Sequence, residues 1–319
     1  MMVKAKDVFK CITIFIVLFL EVESTNLRPI IGILTQKVSG KEETFIPASY
    51  VNYLEASGAR VVPVRADQPK RYYEKAFSQI NGVLFPGGGV GLISSYYAHS
   101  GRYIYDLAIK ANDEGDFFPL WGTCQGFQLL TNLTADVDLL SSTDSENLPL
   151  PLNISKSLAG KSRLFGPLPS RIYDFLTQKP VTYNNHHYSM TTKTFHNTKS
   201  LYSFYNVLST NTDREGIEFV STFEAKDYPF YGVQWHPEKN NFVWNPKLNI
   251  DHDESAVEVS QYMSNFLVAE ARKSNHKFQN STSEIQAMID NYKRSYHTDG
   301  TFEVIYYFNL ENSKFDTFL

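Results

Sequence analysis

The sequence has few cysteines and lacks long apolar and basic runs. Cys11 and Cys124 are its two cysteines among 319 residues, which excludes a framework of several disulfides. Beyond the N-terminal segment no more than two basic residues are adjacent, and the formal net charge is −4. We therefore expect no nucleic-acid partner. The patterns H-x-x-H, HExxH and paired cysteines are also missing, so we predict no metal site and no cofactor.

The N-terminal segment has the pattern of a secretory leader. Three lysines precede the apolar residues 11–20, and Val22 and Ser24 take the −3 and −1 positions of a cleavage site. A membrane anchor is the alternative, but this run is too short to cross a hydrocarbon layer of about 30 Å. We predict a signal peptide over residues 1–24, followed by a single domain over residues 25–319. The mature chain is then expected to be secreted or lysosomal, without a membrane segment.

Glycosylation sequons and a leftover thiol agree with this route. Removal of the leader takes Cys11 with it and leaves Cys124 unpaired, as an intermolecular link or a reactive group. The pattern N-x-S/T occurs at Asn132, Asn153 and Asn280, which we predict as glycosylation sites. Asn132 closely follows Cys124, so we expect it to be sheltered.

Apolar runs alternate with amphipathic segments through the first half of the chain. Predicted strands cover residues 28–35, 60–65, 82–89 and 116–123, and predicted helices cover residues 48–59, 69–80, 94–113 and 125–133. This alternation is typical of βαβ units around a parallel sheet that is covered on both faces. We therefore predict an α/β fold, a three-layer α/β/α sandwich with a mainly parallel central sheet.

The second half of the chain has a different pattern. Alternating residues at 200–210 and 216–225 predict antiparallel strands, and residues 229–238 predict a strand that ends in a loop. Residues 253–273 form the clearest amphipathic helix. The residues from 280 onward are mainly polar and give no clear pattern.

Cys124 lies where a predicted strand meets a predicted helix. Gly122 and Gly126 flank it in the pattern G-x-C-x-G-x-Q. Small neighbours allow the sharp turn of a nucleophile elbow, which leaves the sulfur exposed, and a helix N-terminus favours the anionic thiolate. The carboxyl edge of a parallel sheet is also where α/β proteins bind ligands. We predict that Cys124 is a nucleophile; a buried structural cysteine is the alternative.

The segment GVQWHPE, residues 232–238, supplies a base for such a nucleophile. His236 and Glu238 lie two residues apart at the end of an apolar run, and in an extended chain they would point to the same side. Glu238 can then hold one ring nitrogen of His236 while the other faces the sulfur, as in a Cys-His-acid triad. A surface histidine beside a solvated glutamate is the alternative.

The segment PGGG, residues 86–89, is the natural source of oxyanion donors. Its glycines end a predicted strand and let backbone N–H groups approach a substrate closely. We predict the N–H of Gly88 as one donor and the N–H of Gln125 as the second. A plain turn is the alternative for this loop. Three neighbouring residues are predicted substrate contacts: Gly87, Gly89 and Gln128.

Three segments resemble the class I glutamine amidotransferase-like superfamily in sequence and order: FPGGG, GTCQGFQLL and VQWHPE. More narrowly, PIIGILTQ near the start, the leader and NHHYSM resemble the γ-glutamyl hydrolase family, and the similarity spans residues 28–272. The resemblance implies a flavodoxin-like fold and cleavage of γ-linked glutamates on folates and antifolates. It also implies a small-molecule substrate, folylpoly-γ-glutamate, and is compatible with a homodimer.

The resemblance also implies roles for single residues. Cys124 would form a γ-glutamyl thioester, His236 would activate the sulfur and later water, and Glu238 would orient His236. His186, the first histidine of NNHHYSM, matches a position that lines the substrate cleft in the family, and His187 falls where relatives often carry a basic residue. Ordinary loop histidines are the alternative for this pair. Six arginines remain open as ligands of the tail carboxylates: Arg28, Arg60, Arg65, Arg102, Arg163 and Arg171.

Two other functions fit parts of the same pattern. A glutaminase-type amidotransferase subunit would share the thiol and the base, but it would need an acceptor domain or partner that uses ATP, and the sequence carries no P-loop. A secreted binding glycoprotein would keep the fold without needing the Cys, His and Glu set. We therefore favour hydrolysis of γ-glutamyl isopeptide bonds by a cysteine nucleophile.

Overall fold

The structure is a computed structural model that describes residues 25–297 and 302–309. The predicted signal peptide and Cys11 lie outside the described residues. The strands are β1 Ile30–Leu34, β2 Gln36–Lys37, β3 Glu43–Pro47, β4 Arg60–Val64, β5 Val83–Phe85, β6 Leu120–Thr123, β7 Ser141–Leu150, β8 Asn153–Ile154, β9 Thr182–Ser189, β10 Tyr205–Thr212, β11 Glu218–Ala225, β12 Phe230–Val233, β13 Arg294–Tyr296 and β14 Val304–Asn309.

Helices connect most of these strands. They are α1 Ala48–Glu55, α2 Lys70–Phe77, α3 Tyr96–Asp113, α4 Gln125–Ala135, α5 Lys156–Ala159, α6 Ser170–Gln178, α7 Thr192–Asn197, α8 Lys199–Phe204, α9 Lys239–Phe242, α10 Glu254–Ala271 and α11 Ser281–Ala287, with a 3-10 turn at Ile289–Asn291.

The central sheet has eight strands in the order β4-β1-β5-β6-β12-β11-β10-β8. The first five strands pair in parallel, and β11, β10 and β8 extend the sheet in antiparallel pairs. The prediction of a mainly parallel sheet that becomes antiparallel in the later part of the chain is therefore confirmed.

Both faces of this sheet are covered by apolar side chains, as the continuous apolar runs of the strands predict. In β1 the alternate residues Ile30 and Leu34 belong to one core cluster, whereas Ile31 and Ile33 belong to the other. Helices α2, α3 and α4 contribute to the first cluster, and α1 and α10 contribute to the second. The predicted three-layer α/β/α arrangement is thus confirmed.

Two segments differ from the sequence-based prediction or go beyond it. Residues 200–204 are predicted as part of a strand, but they belong to α8, because Leu201 and Phe204 have the three-residue spacing of a helix and both pack on the core. The described residues from 280 onward, which gave no pattern, form α11, the 3-10 turn and the strands β13 and β14. These strands join β3 and β2 in a second sheet of four strands. Within the described part of the chain, no helix is long and apolar enough to cross a membrane.

Candidate active site

Cys124 lies between β6 and α4, at the carboxyl edge of the central sheet. Its φ is 51°, a value that residues other than glycine rarely adopt. A Cβ at Gly122 would collide with the carbonyl group of Gly126, and a Cβ at Gly126 would collide with the carbonyl oxygen of Phe85. Only glycine at both positions therefore lets the chain turn sharply while α4 packs against β5. This is the strand–turn–helix geometry that the G-x-C-x-G pattern predicts.

The thiol is more sheltered than the elbow argument predicts. Cys124 is 4% exposed, so the prediction of an exposed sulfur is wrong. The residue lines a cavity of about 480 Å³, whose wall is formed by residues 88–92, by the start of α4 and by β9. Because these segments cover the strand end, substrate would approach the sulfur through this cavity. A buried structural cysteine, in contrast, would not face a cavity lined by polar groups.

His236 and Glu238 follow β12, which lies beside β6. The parallel pairing of Val233 with Thr123 brings the two strand ends to the same level, so the residues that follow them meet at one edge. His236 is 4% exposed, and its Nδ1 lies 2.8 Å from Oε1 of the buried Glu238. The backbone at Glu238 is helical, with φ −74° and ψ −14°, rather than extended as the spacing argument assumes. The carboxylate nevertheless contacts the imidazole.

The imidazole and the thiol-bearing carbon flank Gly87. A Cβ built on this glycine would lie 2.9 Å from Cε1 of His236 and 3.2 Å from Cβ of Cys124. Burial by itself lowers the pKa of His236, but the charges of Glu238 and Cys124 outweigh it and raise the pKa to about 9. The imidazolium is therefore the stable form of His236 at acidic and neutral pH, next to the sulfur.

The two residues predicted as oxyanion donors, Gly88 and Gln125, line the same cavity as Cys124. Gly88 and Gly89 line the cavity, and Gln125 is the first residue of α4, so its N–H has no acceptor within the helix. The Gln125 side chain also fixes the glycine loop. Its Nε2 donates to the Val90 carbonyl at 2.6 Å, and its Oε1 accepts from the Val90 N–H at 3.1 Å. The loop is thereby held to the helix that follows the nucleophile.

Sequence reasoning misses two buried groups beside these residues. Tyr50, on α1, accepts the N–H of Gly87 at 2.8 Å, so that this N–H is not free for a substrate contact. Lys239 follows Glu238 and is 1% exposed; burial lowers its pKa, and the charges of Glu238 and Cys124 oppose that change. No motif points to Tyr50, whereas a cation directly after the H-P-E segment is a usable signal for Lys239.

His186 and Gln128 both line the cavity, where the sequence analysis predicts substrate contacts. Burial, and then the positive charge of His236, lower the pKa of His186 to about 3, so this imidazole is neutral. Its Nδ1 lies 3.0 Å from the Ser189 hydroxyl. Gln128 donates from Nε2 to the Tyr188 carbonyl at 2.7 Å, which joins α4 to β9.

No arginine or lysine of the described chain lines this cavity. Its acidic and imidazole side chains are Asp138, His186 and His187, and the exposed His187 lies 3.3 Å from Glu146. The six arginines that the sequence leaves open contact other groups instead. Their partners are Glu284 for Arg28 and Arg60, Asn309 for Arg65, Asp136 for Arg102, Ala225 and Tyr228 for Arg163, and Glu254 and Glu258 for Arg171.

The three sequons differ in accessibility. The amide nitrogen of Asn132, which would carry a glycan, is buried in the structure. Its sequon partner Thr134 contacts the hydroxyl groups of Tyr105 and Tyr205 at 3.0 Å. Asn153 and Asn280 are exposed.

Comparison with known proteins gives a consistent result. Residues 29–238 match the family described as Peptidase C26. The chain is 45% identical over 277 residues to gamma-glutamyl hydrolase of Bos taurus, covering 85% of this chain and 86% of that protein. It is 45% identical over 270 residues to gamma-glutamyl hydrolase of Homo sapiens, covering 83% and 84% of the two chains. Gamma-glutamyl hydrolase B of Dictyostelium discoideum is 40% identical over 317 residues, with 95% and 91% covered.

Solved structures show a similar fold. The glutaminase domain of Trypanosoma brucei CTPS with bound acivicin superimposes with a TM-score of 0.50 at 15% sequence identity. The alignment covers 77% of this chain and 95% of that domain. At this identity the likeness concerns the fold alone, and it agrees with the three-layer architecture described above.

Proposed function

The chain belongs to the peptidase C26 family, and we propose that it hydrolyses γ-glutamyl isopeptide bonds of folylpoly-γ-glutamates and antifolate polyglutamates through Cys124. One observation carries the proposal. A thiol in a strained turn at a helix N-terminus lines a cavity, beside an imidazole whose Nδ1 lies 2.8 Å from a buried carboxylate. These are the groups that acyl transfer through a thioester needs.

The first half of the proposed reaction forms the thioester. The Cys124 thiolate attacks the γ-carbonyl carbon, and the N–H groups of Gly88 and Gln125 stabilise the oxyanion of the tetrahedral intermediate. When the intermediate collapses, the C–N bond breaks and the His236 imidazolium gives its proton to the leaving glutamate amine. The products are a γ-glutamyl thioester on Cys124, a free amine and a neutral imidazole.

The second half regenerates the enzyme. Neutral His236 removes a proton from water while the water oxygen attacks the thioester carbon. Collapse of the second tetrahedral intermediate breaks the C–S bond and releases the new γ-carboxyl group. The imidazolium and the thiolate are then restored, so one water is consumed for each amide bond that is cleaved. Glu238 keeps the Nδ1–H of His236 oriented through both halves.

The cavity fits this substrate class. Its volume of about 480 Å³ lies in the usual range for small-molecule sites. Because no described arginine or lysine lines it, we propose that backbone N–H groups, Gln128 and the histidines 186 and 187 contact the glutamyl unit. The tail carboxylates would then extend toward solvent, where their desolvation costs little.

The remaining parts of the proposal concern location and assembly. We propose that the protein follows the secretory route to lysosomes or the cell exterior, supported by the leader pattern and by two exposed sequons, Asn153 and Asn280. We further propose a homodimer, which the family resemblance suggests and which analytical ultracentrifugation of the mature protein would test.

Substitution of Cys124 tests the function directly. Cys124→Ala should abolish hydrolysis of pteroylpentaglutamate, measured by chromatography of the products, and should leave the fold and substrate binding largely intact. His236→Ala should lower kcat by roughly 100- to 10,000-fold because it removes the general acid and base. His99→Ala, an exposed histidine on α3, is the matched control and should keep normal turnover. Normal turnover in Cys124→Ala would refute the mechanism.

Product analysis separates this function from the glutaminase alternative. On a pteroylpentaglutamate ladder a γ-glutamyl hydrolase releases glutamate or oligoglutamate, whereas a glutaminase releases ammonia from free glutamine. Both reactions share the acyl half of the substrate, so the ratio of the two kcat/KM values is the informative quantity. Efficient ammonia release with no cleavage of pteroylpolyglutamates would overturn the proposed function.

A further inference from the structure

Tyr50 is a buried tyrosine whose hydroxyl group lies among the groups of the candidate active site. It is 1% exposed and belongs to α1, which packs on the opposite face of the sheet from α4. Its hydroxyl oxygen accepts the N–H of Gly87 at 2.8 Å and lies 3.4 Å from Nδ1 of His236. A single oxygen therefore contacts both the glycine loop and the proposed general base.

The contact with Gly87 has a consequence for the next peptide group. The neighbouring N–H, that of Gly88, is the proposed oxyanion donor, and a hydrogen bond at Gly87 limits the rotation of the peptide planes around it. Space at this point is also tight, because a Cβ on Gly87 would lie 2.7 Å from the Tyr50 hydroxyl and 2.9 Å from Cε1 of His236. The loop, the hydroxyl and the imidazole therefore cannot move independently.

The Tyr50 hydroxyl group stays protonated at acidic and neutral pH. Burial, followed by the charges of Glu238 and Cys124, raises the pKa of Tyr50 well above its usual value. Its oxygen therefore remains a neutral acceptor for the Gly87 N–H, and its own proton stays available to the His236–Glu238 pair. A neutral hydroxyl that accepts the Gly87 N–H and lies beside Nδ1 of His236 is suited to positioning rather than to proton transfer.

We infer that Tyr50 is a positioning residue for the proposed hydrolysis, holding the oxyanion-donor loop and His236 in one geometry around Cys124. The inference rests on the proposed function. It differs from a packing role, in which only the aromatic ring would matter. Loss of the hydroxyl should allow the Gly88 N–H and the imidazole to shift relative to the sulfur, and displacement of reacting groups by about 1 Å can cost 100-fold in rate.

Tyr53 provides a matched control on the same helix. It is also 1% exposed, and burial followed by the Glu238 charge raises its pKa, but within the described chain its hydroxyl has no hydrogen-bond partner. Tyr53→Phe thus removes a buried hydroxyl of the same kind that contacts neither the glycine loop nor His236. Comparison of the two variants separates the effect of the Tyr50 contacts from the general effect of removing a hydroxyl from this core.

The test compares Tyr50→Phe, Tyr53→Phe and the unchanged protein on pteroylpentaglutamate. Rates are expressed per folded molecule, with the folded fraction of each variant measured by urea titration, so that unfolded molecules do not count. We expect kcat of Tyr50→Phe to fall by roughly 10- to 100-fold with KM within about twofold, because the lost geometry concerns the oxyanion donors and the base. Tyr53→Phe should keep both constants within about twofold, since nothing that touches the reaction is displaced.

Two outcomes would overturn the inference. One is a kcat of Tyr50→Phe within twofold of the unchanged protein; the other is an equal loss in both variants. Amide hydrogen exchange at Gly87 in the unchanged protein gives an answer even if Tyr50→Phe does not fold: slow exchange is expected, and fast exchange would contradict the contact. An unchanged protein without any γ-glutamyl hydrolysis would instead refute the proposed function itself.

Discussion

Replacement of Glu238 by glutamine should shift the pH dependence of the enzyme in a defined direction. The change keeps the size of the side chain and an oxygen that can accept from Nδ1 of His236, but it removes the charge. A rise in the pKa of His236 from 6.5 to about 9 corresponds to about 3 kcal/mol in favour of the imidazolium. Glu238 is the largest cause that raises this pKa, burial opposes it, and the charge of Cys124 remains, so the pKa of His236 should fall by roughly two units in the variant.

The assay is the pH profile of kcat/KM on pteroylpentaglutamate between about pH 4.5 and pH 10. The alkaline limb reports loss of the imidazolium that protonates the leaving amine, so it should lie near 9 in the unchanged protein. In Glu238→Gln the midpoint of the alkaline limb should fall by roughly two pH units. The loss of rate should then be about 10-fold at pH 5 and about 100-fold at pH 8, since the hydrogen bond is partly kept at low pH.

Glu270→Gln is the control for this prediction. Glu270 is 4% exposed and accepts from the Tyr231 hydroxyl at 2.7 Å, so it is a buried carboxylate outside the candidate site. Its replacement should leave the alkaline limb in place. If Glu238→Gln keeps the limb of the unchanged protein, then Glu238 does not set the charge state of His236 and the triad assignment is wrong.

The raised pKa of His236 also makes the free energy of unfolding depend on pH. His236 has a folded-state pKa above its unfolded value, so its contribution is fully present below about pH 6.5 and is lost as pH rises through about 9. The free energy of unfolding should therefore fall over this interval by up to about 3 kcal/mol more in the unchanged protein than in Glu238→Gln. Urea titrations at pH 6 and pH 9 measure this difference.

Two further predictions concern the elbow and the sequons. Gly126→Ala should lower the free energy of unfolding by roughly 2 kcal/mol or more, because the new methyl group meets backbone atoms. Gly89→Ala is the control: a methyl group there has open space, so the free energy of unfolding should change by less than about 0.5 kcal/mol. Equal urea midpoints for the two variants would contradict the prediction. Glycopeptide mass spectrometry of the protein produced in a eukaryotic host should find glycans on Asn153 and Asn280 but not on Asn132, and full occupancy of Asn132 would show that its amide is accessible.

The meeting of Cys124 and His236 at one edge of the sheet was predictable because each follows a strand that the apolar pattern identifies. Cys124 stands between two glycines at a strand end, and His236 follows a strand that pairs in parallel with the first one. Parallel pairing places both strand ends at one edge, so the pattern of the sheet is enough to bring these residues together. The contact of Glu238 with His236 follows from their short separation, although the backbone there is helical rather than extended.

The features that the sequence did not predict depend on contacts between residues far apart in the chain. Tyr50 lies 186 residues before His236 in the chain, in a helix whose sequence only indicates an apolar face. Strand β14 pairs with β3 across most of the chain, so its place could not be inferred from neighbouring residues. The burial of Cys124 arises in the same way, because β9 and the glycine loop close over the strand end only in the folded protein.

Alkylation of Cys124 tests whether this thiol is the nucleophile of the reaction. Iodoacetamide should enter the cavity and modify Cys124, because the residue lines this cavity beside the His236 imidazole. Activity should fall in proportion to the modified fraction measured by peptide mass spectrometry, and pteroylpentaglutamate should slow both. Full activity after complete modification of Cys124, or modification that pteroylpentaglutamate does not slow, would contradict the proposed role of this thiol.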